Sequence, residues 1–251
     1  MQQGRLSLAR FQVVTRVAFH EVGPAGCLGL VPLADHLQEA AAEHARHLGV
    51  SINRLAEVGL GWVMSRLIVR IERWPLSGET MRIETWPSKR VGHLFHREFR
   101  LRGESDLLIG AASSSWALFD VRARHVATTP KWLEEAVPWD PEEAVGFERA
   151  AVPRIGIASY ERSVVPRLSD LDINGHVNNA QLLGWTLEAL PREFRIERVL
   201  REIDVQFRRE CRLDDPVASR TEAKNAGVFH HSVIRVDDGR ELVRARSLWR
   251  P

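Results

Sequence analysis

The chain repeats itself faintly, and this duplication constrains the fold more than any other feature of the sequence. The stretch LFHREFRL at 94–101 resembles VFHHSVIRV at 228–236, and each precedes a short polar turn and a further strand-like segment. Upstream, residues 66–85 parallel residues 201–221, so the offset between corresponding positions stays at about 135 residues. Because several pieces match in the same order, we predict two copies of one structural unit.

Each copy has the pattern of one helix followed by several strands. In the first copy, apolar residues recur at helical spacing over 32–49, and Gly49 is placed to end that helix. Ser51 is placed to cap a second, shorter helix. The strand-like stretch 109–119 consists largely of small residues, which allow another element, such as a helix, to lie close against it. In the second copy the predicted helix spans 178–190.

One helix held by an antiparallel sheet, made twice, is an α+β arrangement. We therefore predict two tandem hot-dog units, each an antiparallel sheet wrapped around a central helix. The N-terminal unit is predicted to span residues 1–133 and the C-terminal unit residues 155–251. The segment between them, 134–154, is rich in proline and acidic residues, which is typical of a linker.

Composition narrows the class of protein. With 44% hydrophobic and 27% charged residues in 251, the chain has the balance of a globular domain with a sizeable core. No apolar run reaches the roughly 18 residues that a membrane helix needs. The first residues lack the pattern of a secretory signal, so a cytoplasmic location is predicted. A net charge of +2 argues against a nucleic-acid binder.

The two cysteines, Cys27 and Cys211, are too few for a disulfide framework, and no CxxC spacing indicates zinc. No phosphate-binding or dinucleotide-binding motif occurs either. We therefore predict neither a cofactor nor a bound metal.

The segment DLDINGHVNN at 170–179 concentrates carboxylate, amide and imidazole side chains. Its opening matches the first half of an EF-hand calcium loop, but Gln181 stands where that loop needs a glutamate. Capping of the following helix is a second interpretation, with Asn178 or Asn174 as the cap. Capping does not require a histidine, so a chemical role is favoured over capping alone.

A hydrolytic site is the sharper hypothesis. His176 can pass protons at neutral pH, Asp172 can fix the tautomer of its ring, and Asn174 can orient a substrate carbonyl or a water molecule. Unpaired amides at the start of the helix can hold the oxygen of a tetrahedral intermediate. A general base is still missing from this set.

The sequence RREC offers two further candidates, Glu210 as a base and Cys211 as a nucleophile. Strand alternation places Glu210 on the polar face, and a bulge at the end of the strand would be needed to reorient it. A buried, inert thiol is the ordinary role of a lone cysteine. The residues alone do not choose between these alternatives.

These motifs resemble the acyl-acyl carrier protein (acyl-ACP) thioesterases of bacterial and plant type. The segment DLDINGHVNNAQLLGW resembles the signature of that family, and FRREC resembles its later motif. EAAAEHARHLGV, GLGWVMSRLIVRIERWP and RIETWPS resemble its first half, so the likeness runs from about Phe11 to Trp249. The resemblance implies two hot-dog units, of which the first shapes the acyl pocket and the second carries the catalytic residues.

The resemblance also implies an activity, the hydrolysis of the thioester between a fatty acyl chain and the phosphopantetheine arm of acyl carrier protein in fatty acid biosynthesis. The functional positions of the family carry over to these residues: Asp172, Asn174, His176 and Glu210, with Cys211 beside them. Leu182 stands where the family usually has tyrosine. In the expected mechanism Glu210 activates water and His176, held by Asp172, assists proton transfer; in the rival mechanism Cys211 is the nucleophile and His176 its base. An acyl-CoA thioesterase is the first alternative function, and a non-catalytic calcium- or acyl-binding module is a weaker one.

The expected partner is acyl carrier protein bearing a fatty acyl chain. Seven arginines near the predicted site in sequence could dock its acidic surface: Arg192, Arg195, Arg198, Arg201, Arg208, Arg209 and Arg212. Acidic residues are interspersed among them, so a mixed, solvated surface is the favoured interpretation of the set. A homodimer is compatible with the sequence, which does not determine the oligomeric state.

Overall fold

The computed structural model describes residues 9–147, 151–225 and 227–251. The first eight residues of the predicted N-terminal unit, residues 148–150 of the predicted linker and residue 226 lie outside the described residues. The chain divides into two compact units. Of the described residues, the N-terminal unit contains 9–22, 26–28 and 33–147, and the C-terminal unit contains 23–25, 29–32, 151–225 and 227–251.

The N-terminal unit is an antiparallel sheet with helices. Its strands are β1 Phe11–Arg16, β2 Leu60–Ile71, β3 Thr80–Val91, β4 Leu94–Arg102, β5 Leu108–Asp120 and β6 His125–Val126. They run in the order β1-β3-β4-β5-β2, and β6 pairs with β5. Its helices are α1 Leu30–His47, α2 Ile52–Ala56 and α3 Lys131–Ala136.

The C-terminal unit repeats this plan in a smaller form. Its strands are β7 Tyr160–Val164, β8 Val199–Phe207, β9 Val217–Asn225, β10 Val228–Arg235 and β11 Glu241–Arg250. They form an antiparallel sheet in the order β8-β11-β10-β9-β7. Its helices are α4 Asn179–Trp185 and α5 Arg192–Glu197. The predicted α+β class is confirmed.

The first helix forms where its apolar spacing predicts. It buries the predicted stripe, including Leu33, Leu37 and His44. The helix ends at a glycine in the left-handed region, Gly49 with φ 71°, as predicted. The next helix, α2, begins with Ser51 as its cap, whose hydroxyl accepts a hydrogen bond from the amide of Arg54 at 3.3 Å.

The end of helix α1 packs with the sheet of the N-terminal unit. Ala45 in the last turn of α1 and Leu48 directly after the helix join a hydrophobic cluster that includes Phe95 of β4 and Leu118 of β5. Full burial of a leucine or phenylalanine side chain contributes about 1.5–3 kcal/mol. The sheet therefore holds the helix through apolar contacts, as predicted for a helix close to the strand 109–119.

The second predicted helix, 178–190, is shorter than its sequence pattern predicts. Helix α4 ends at Trp185 and continues as tight turns, in which the amides of Leu187 and Glu188 bond to carbonyls three residues back. The hydroxyl of Thr186 also donates to the carbonyl of Leu183 at 2.6 Å. This side-chain bond competes with the regular helical ladder, which explains the early end.

The first part of the predicted linker, residues 134–147, is bound to the N-terminal unit. Helix α3 crosses the predicted boundary at residue 133, and the chain after it is fixed to the N-terminal unit. The indole of Trp86 donates to the carbonyl of Glu142 at 2.8 Å, and the guanidinium of Arg10 donates to Asp140 at 2.7 Å. The division at residues 133 and 154 remains a prediction.

A buried carboxylate anchors the same segment. Glu98 is 1% exposed and accepts hydrogen bonds from the hydroxyls of Ser88 and Ser113 and from the amide of Ala144. Burial raises the pKa of Glu98, and these hydrogen bonds oppose that effect. Ser113 in turn accepts from the amide of Gly146 at 3.1 Å, so the small residues of β5 also receive the linker.

A buried histidine organises the sheet of the C-terminal unit. The ring nitrogens of His231 lie 2.8 Å from the hydroxyl of Thr221 and 2.7 Å from that of Ser247, which joins β9, β10 and β11. Burial lowers the pKa of His231 to about 3, with a smaller contribution from His230. The ring is therefore neutral in the folded protein at neutral pH.

We expect this histidine to make the protein sensitive to acid. The unfolded chain binds a proton at His231 below pH of about 6.5 whereas the folded chain does not, so the free energy of unfolding falls as pH falls from there towards about 3. The loss from this group is about 2 kcal/mol at pH 5. Urea unfolding at pH 7 and pH 5 measures it.

His231→Gln removes the titrating ring and is expected to shrink the difference between the two pH values by that amount. His125→Gln, a substitution at an exposed histidine, serves as the matched control and leaves the difference unchanged. An equal pH dependence in wild type and His231→Gln would contradict the assignment.

Candidate active site

The segment that contains the predicted site residues folds as a tight hairpin. Leu171 and Val177 pair as an antiparallel bridge, the amide of Asp172 donates to the carbonyl of His176 at 2.7 Å, and the amide of Gly175 donates to that of Asp172 at 3.0 Å. Gly175 has φ 74°, a conformation that glycine adopts without strain. The residues Asp-Ile-Asn-Gly are those that such a turn favours, so the local sequence determines the hairpin.

The carboxylate of Asp172 holds this hairpin together from inside. Its Oδ1 accepts from the amides of Asn174 at 2.8 Å and His176 at 3.2 Å, and its Oδ2 lies 3.5 Å from the side-chain nitrogen of Asn174. The predicted contact of Asp172 with the imidazole is not what the structure shows, because the carboxylate is used on the main chain. Asp172 therefore positions the backbone that carries Asn174 and His176.

Asn178 caps the helix that follows, as predicted. Its side-chain oxygen accepts from the amide of Ala180 at 2.9 Å, and its own amide donates to the carbonyl of Asp170 at 2.8 Å. Between the strand β7 and the hairpin lies one short 3-10 turn, Leu168–Asp170, and not an α-helix. The structure therefore does not support the EF-hand alternative, which needs a helix on each side of the loop.

A bulge at the end of β8 brings the predicted base out of the strand. The amides of Arg208 and Arg209 both donate to the carbonyl of Leu242, at 2.8 and 3.3 Å. Two residues thus oppose one on the neighbouring strand, which breaks the alternation of side chains. Glu210 follows directly and leaves the polar face of β8 on which simple alternation would place it.

The hairpin and the bulge bring His176 and Glu210 together. Nε2 of His176 lies 3.2 Å from Oε2 of Glu210, and the two side chains are 32% and 37% exposed. The pairing is supported by a main-chain hydrogen bond of 2.8 Å from the amide of Val177 to the carbonyl of Cys211. A carboxylate and an imidazole in contact, both open to solvent, are suited to general acid–base chemistry.

Two arginines hold Glu210, and the sequence-based prediction gave neither of them this role. Arg212 donates to its Oε1 at 3.1 Å, and Arg235 donates to its main-chain oxygen at 3.0 Å. Arg212 lies only two residues from Glu210, so the sequence contained a signal for their proximity. Arg235 comes from β10, and only the tertiary structure places it here.

Asn174 is exposed at the tip of the hairpin. Its side-chain oxygen has no hydrogen-bond partner among the described residues, and its side-chain nitrogen has only the long contact to Asp172. The amide group is therefore available to a ligand. Leu182, where the family usually has tyrosine, is 1% exposed.

The thiol of Cys211 is separated from this chemistry. Cys211 is fully buried, and its Sγ contacts the carbonyl of Arg212 at 3.8 Å rather than the imidazole. Burial raises the pKa of Cys211 to about 12, and the nearby carboxylate of Asp215 adds to this effect. The thiolate, which is the nucleophilic form, is therefore scarce at neutral pH.

The N-terminal half of the chain contains the same backbone arrangement without the reactive side chains. Val22 pairs with Leu28 as Leu171 pairs with Val177, and the amide of Leu28 donates to the carbonyl of Pro75 at 2.8 Å. The loops between the paired residues, 23–27 and 172–176, have equal length, so their positions correspond one to one. The equivalents of the site residues follow from this: Gly23 for Asp172, Ala25 for Asn174, Cys27 for His176 and Trp74 for Glu210.

Residues 9–147, 151–225 and 227–251 contain no cluster of three or more histidine, cysteine, aspartate or glutamate side chains arranged to hold a metal ion. None of the helices within those ranges combines the length and apolar character needed to span a membrane.

Comparison with known proteins assigns both halves of the chain. A family model described as acyl-ACP thioesterase N-terminal domain matches residues 9–135, and one described as acyl-ACP thioesterase C-terminal domain matches residues 157–251. Curated relatives include a palmitoyl-acyl carrier protein thioesterase of Gossypium hirsutum, 29% identical over 92% of this chain and 62% of the relative. A dodecanoyl-[acyl-carrier-protein] hydrolase of Umbellularia californica is 26% identical over 96% of this chain and 68% of its own length. The chain spans about three fifths of the length of several of these relatives.

Solved structures agree with the sequence comparison. The 12:0-ACP thioesterase from Umbellularia californica superposes with a TM-score of 0.87 at 26% identity, covering 97% of this chain and 98% of that one. An acyl-ACP thioesterase from Bacteroides thetaiotaomicron has the same fold, with a TM-score of 0.87 at 21% identity over all of both chains. These matches confirm the predicted resemblance and the predicted pair of hot-dog units.

The burial of Cys211 generates a prediction on thiol reactivity. In the variant Cys27→Ser, Cys211 is the one thiol left, and we expect iodoacetamide at pH 7.5 to leave it unmodified in the folded protein because the thiolate is scarce and covered. The same reagent modifies it fully in urea. Mass spectrometry of the intact protein over time measures both rates, and equal rates in buffer and in urea would contradict the assignment.

Proposed function

Because the chain belongs to the acyl-ACP thioesterase family, we propose that it hydrolyses the thioester of fatty acyl-ACP and releases a free fatty acid. The observation that carries the proposal is the contact of 3.2 Å between His176 and Glu210 at a half-exposed loop. Acyl carrier protein with a fatty acyl chain is the proposed partner. Acyl-CoA is the second candidate substrate, since it presents the same thioester.

Water is the proposed nucleophile. Glu210 takes a proton from a water molecule, and the resulting hydroxide attacks the carbonyl carbon of the thioester to form a tetrahedral intermediate. The carbon–sulfur bond then breaks, and the pantetheine sulfur leaves with a proton that returns through Glu210 and His176. The hydrogen-bonded pair suits this relay because one member accepts a proton while the other can donate one.

Asn174 and Asp172 have different proposed roles. The side chain of Asn174 is available at the tip of the hairpin and can donate to the oxygen on which negative charge develops. Asp172 does not touch the substrate in this scheme and acts as a positioning residue, through its two hydrogen bonds to the hairpin main chain. Arg212 orients the carboxylate of Glu210.

The geometry disfavours the rival mechanism with a cysteine nucleophile. Cys211 lies in the core, its pKa is raised to about 12, and its thiol contacts a carbonyl instead of His176. The family resemblance put Cys211 beside the predicted site residues. We propose instead that its contribution is the main-chain carbonyl that binds the amide of Val177.

We expect Glu210→Gln to lower kcat on acyl-ACP by about 10³-fold, because the amide cannot take a proton from water. His176→Ala is expected to lower kcat by about 10²-fold for loss of the relay. Cys211→Ala is expected to keep kcat within about twofold, since the carbonyl is retained. Release of free fatty acid from a panel of acyl-ACPs and matching acyl-CoAs measures these rates and the preferred carrier.

Thermal unfolding of each variant controls for loss of structure. A fall in kcat for Cys211→Ala as large as that for Glu210→Gln, in folded protein, would replace water with the cysteine as nucleophile. The absence of hydrolysis by the wild type on either carrier would overturn the proposed function itself.

The positioning role of Asp172 is tested by two substitutions. Asp172→Asn keeps an oxygen that accepts the amides of Asn174 and His176, so we expect kcat to stay within a few-fold of wild type, on the order of 1 kcal/mol or less in barrier. Asp172→Ala removes that acceptor and is expected to lower kcat by about tenfold or more. If both variants lost activity equally, the negative charge of Asp172, and not its hold on the hairpin, would be the contribution.

The remaining expectations stay predictions. These are the cytoplasmic location, the homodimer, and the assignment of the acyl pocket to residues 1–133 with catalysis in residues 155–251.

A further inference from the structure

The C-terminal unit contains a cleft of about 470 Å³ that is unusually rich in arginine. Six arginines line it: Arg154, Arg208, Arg209, Arg220, Arg240 and Arg244. It lies over the face of the sheet on which Arg220, Ser232 and Arg244 stand side by side in register on three neighbouring strands. None of these residues has a role in the proposed acid–base chemistry.

The cleft carries an excess of positive charge. Its lining contains one carboxylate, Glu241, which accepts from Arg208 at 3.1 Å and from Arg244 at 2.5 Å. Arg220 is paired at 2.6 Å with Glu161 and Arg240 at 3.4 Å with Asp238, both outside the lining. Six arginines against three carboxylates leave a surplus of three positive charges.

Part of this positive charge is buried. Arg244 is 6% exposed, and it donates to the carbonyl of Val152 in the segment that crosses the sheet. The charge of Arg244 is therefore less screened by solvent than a charge on an open surface, and it adds to the field that an anion in the cleft would meet.

Two of the arginines are available to a ligand. The side chain of Arg154 has no hydrogen bond or ion pair with the described residues, and the side chain of Arg209 has, among those residues, only a contact of 3.1 Å to the main-chain oxygen of Glu241. Both are exposed at the mouth of the cleft. Guanidinium groups bind phosphate oxygens in a bidentate manner, which a single-point lysine does not.

The cleft and the proposed active site use adjacent residues of one stretch of chain. Arg208 and Arg209 are the two residues of the bulge that immediately precede Glu210. A thioester carried on a phosphopantetheine arm has a phosphate at the end of the arm remote from the sulfur. With the sulfur at Glu210, an arm that follows the bulge leads its phosphate towards the arginines.

We propose that this arginine-lined cleft binds the phosphate of the phosphopantetheine arm of the acyl carrier, with Arg154 and Arg209 as its ligands. The inference rests on the proposed function for the identity of the arm. The proposal assigns recognition of the carrier to Arg209 in the bulge and to Arg154 in the segment before β7, and not to the arginines of helix α5.

Binding without turnover tests the proposal first. Isothermal titration of the full chain with 4′-phosphopantetheine and with pantetheine compares two probes that differ by the phosphate alone. We expect the phosphorylated probe to bind about tenfold more tightly, and Arg154→Gln/Arg209→Gln to abolish that difference. Equal binding of the two probes by wild type would overturn the proposal. Neither result depends on hydrolysis, so a failure of the proposed function remains distinguishable.

Steady-state kinetics provides the second test. The same double variant is expected to raise KM for acyl-ACP about tenfold, to leave kcat unchanged, and to leave KM for the matching acyl-pantetheine unchanged. A rise in KM for both substrates would indicate a structural role of the arginines and would overturn the proposal. A rise for acyl-CoA but not for acyl-ACP would also overturn it, since the cleft would then serve a nucleotide carrier.

Two matched variants control for net charge. Arg122→Gln/Arg250→Gln removes two exposed arginines elsewhere in the chain and is expected to change neither KM. Arg192→Gln/Arg198→Gln removes two arginines at helix α5, and a larger rise in KM for acyl-ACP in this variant than in Arg154→Gln/Arg209→Gln would move carrier recognition to that helix.

Discussion

One main-chain hydrogen bond underlies the proposed site, the bond of 2.8 Å from the amide of Val177 to the carbonyl of Cys211. It ties the hairpin to the chain that leaves β8, and the residues just before its two ends are His176 and Glu210. Their separation is therefore set by backbone geometry and not by the reach of flexible side chains. This matters for catalysis, because a reactive pair held by main-chain bonds is already organised before a substrate arrives.

The same bond occurs in the N-terminal half, between the amide of Leu28 and the carbonyl of Pro75, where the preceding residues are Cys27 and Trp74. The backbone skeleton, meaning a hairpin bonded to the chain that leaves a strand, is thus a property of the repeated unit and does not depend on the reactive side chains. Its requirements are modest: a tight turn with glycine at one position and a bulge at the end of a strand. Both halves meet them, while only 172–176 also has the carboxylate, amide and imidazole that make the skeleton a site.

Much of this arrangement follows from local rules that a sequence displays. The helical stripe of α1, its end at Gly49 and the hairpin turn before α4 depend on neighbours in the chain, so spacing and residue type predict them. The early end of α4 depends on a hydroxyl of Thr186 that turns back on the helix, which apolar spacing does not report. The hold of Arg235 on Glu210 depends on which strands are neighbours. The bulge is an intermediate case. Strand alternation puts Glu210 on the polar face, so the sequence shows that a bulge is needed. It does not show that the bulge forms through the amides of Arg208 and Arg209, which both bond to the carbonyl of Leu242.

The use of arginine around the site has a consequence for how binding and chemistry are coupled. Arg212 and Arg235 hold Glu210, and the cleft whose lining includes Arg208 and Arg209 contains four further arginines. Guanidinium groups keep their charge throughout the pH range in which a protein is folded, unlike imidazole. The arginines would therefore present the same charge to the proposed carrier across this pH range, while the proposed proton transfer depends on His176 and Glu210. A change of KM with salt then reports the arginines, and a change of kcat on substitution of His176 or Glu210 reports the reacting pair, so the two parts of the site can be separated by experiment.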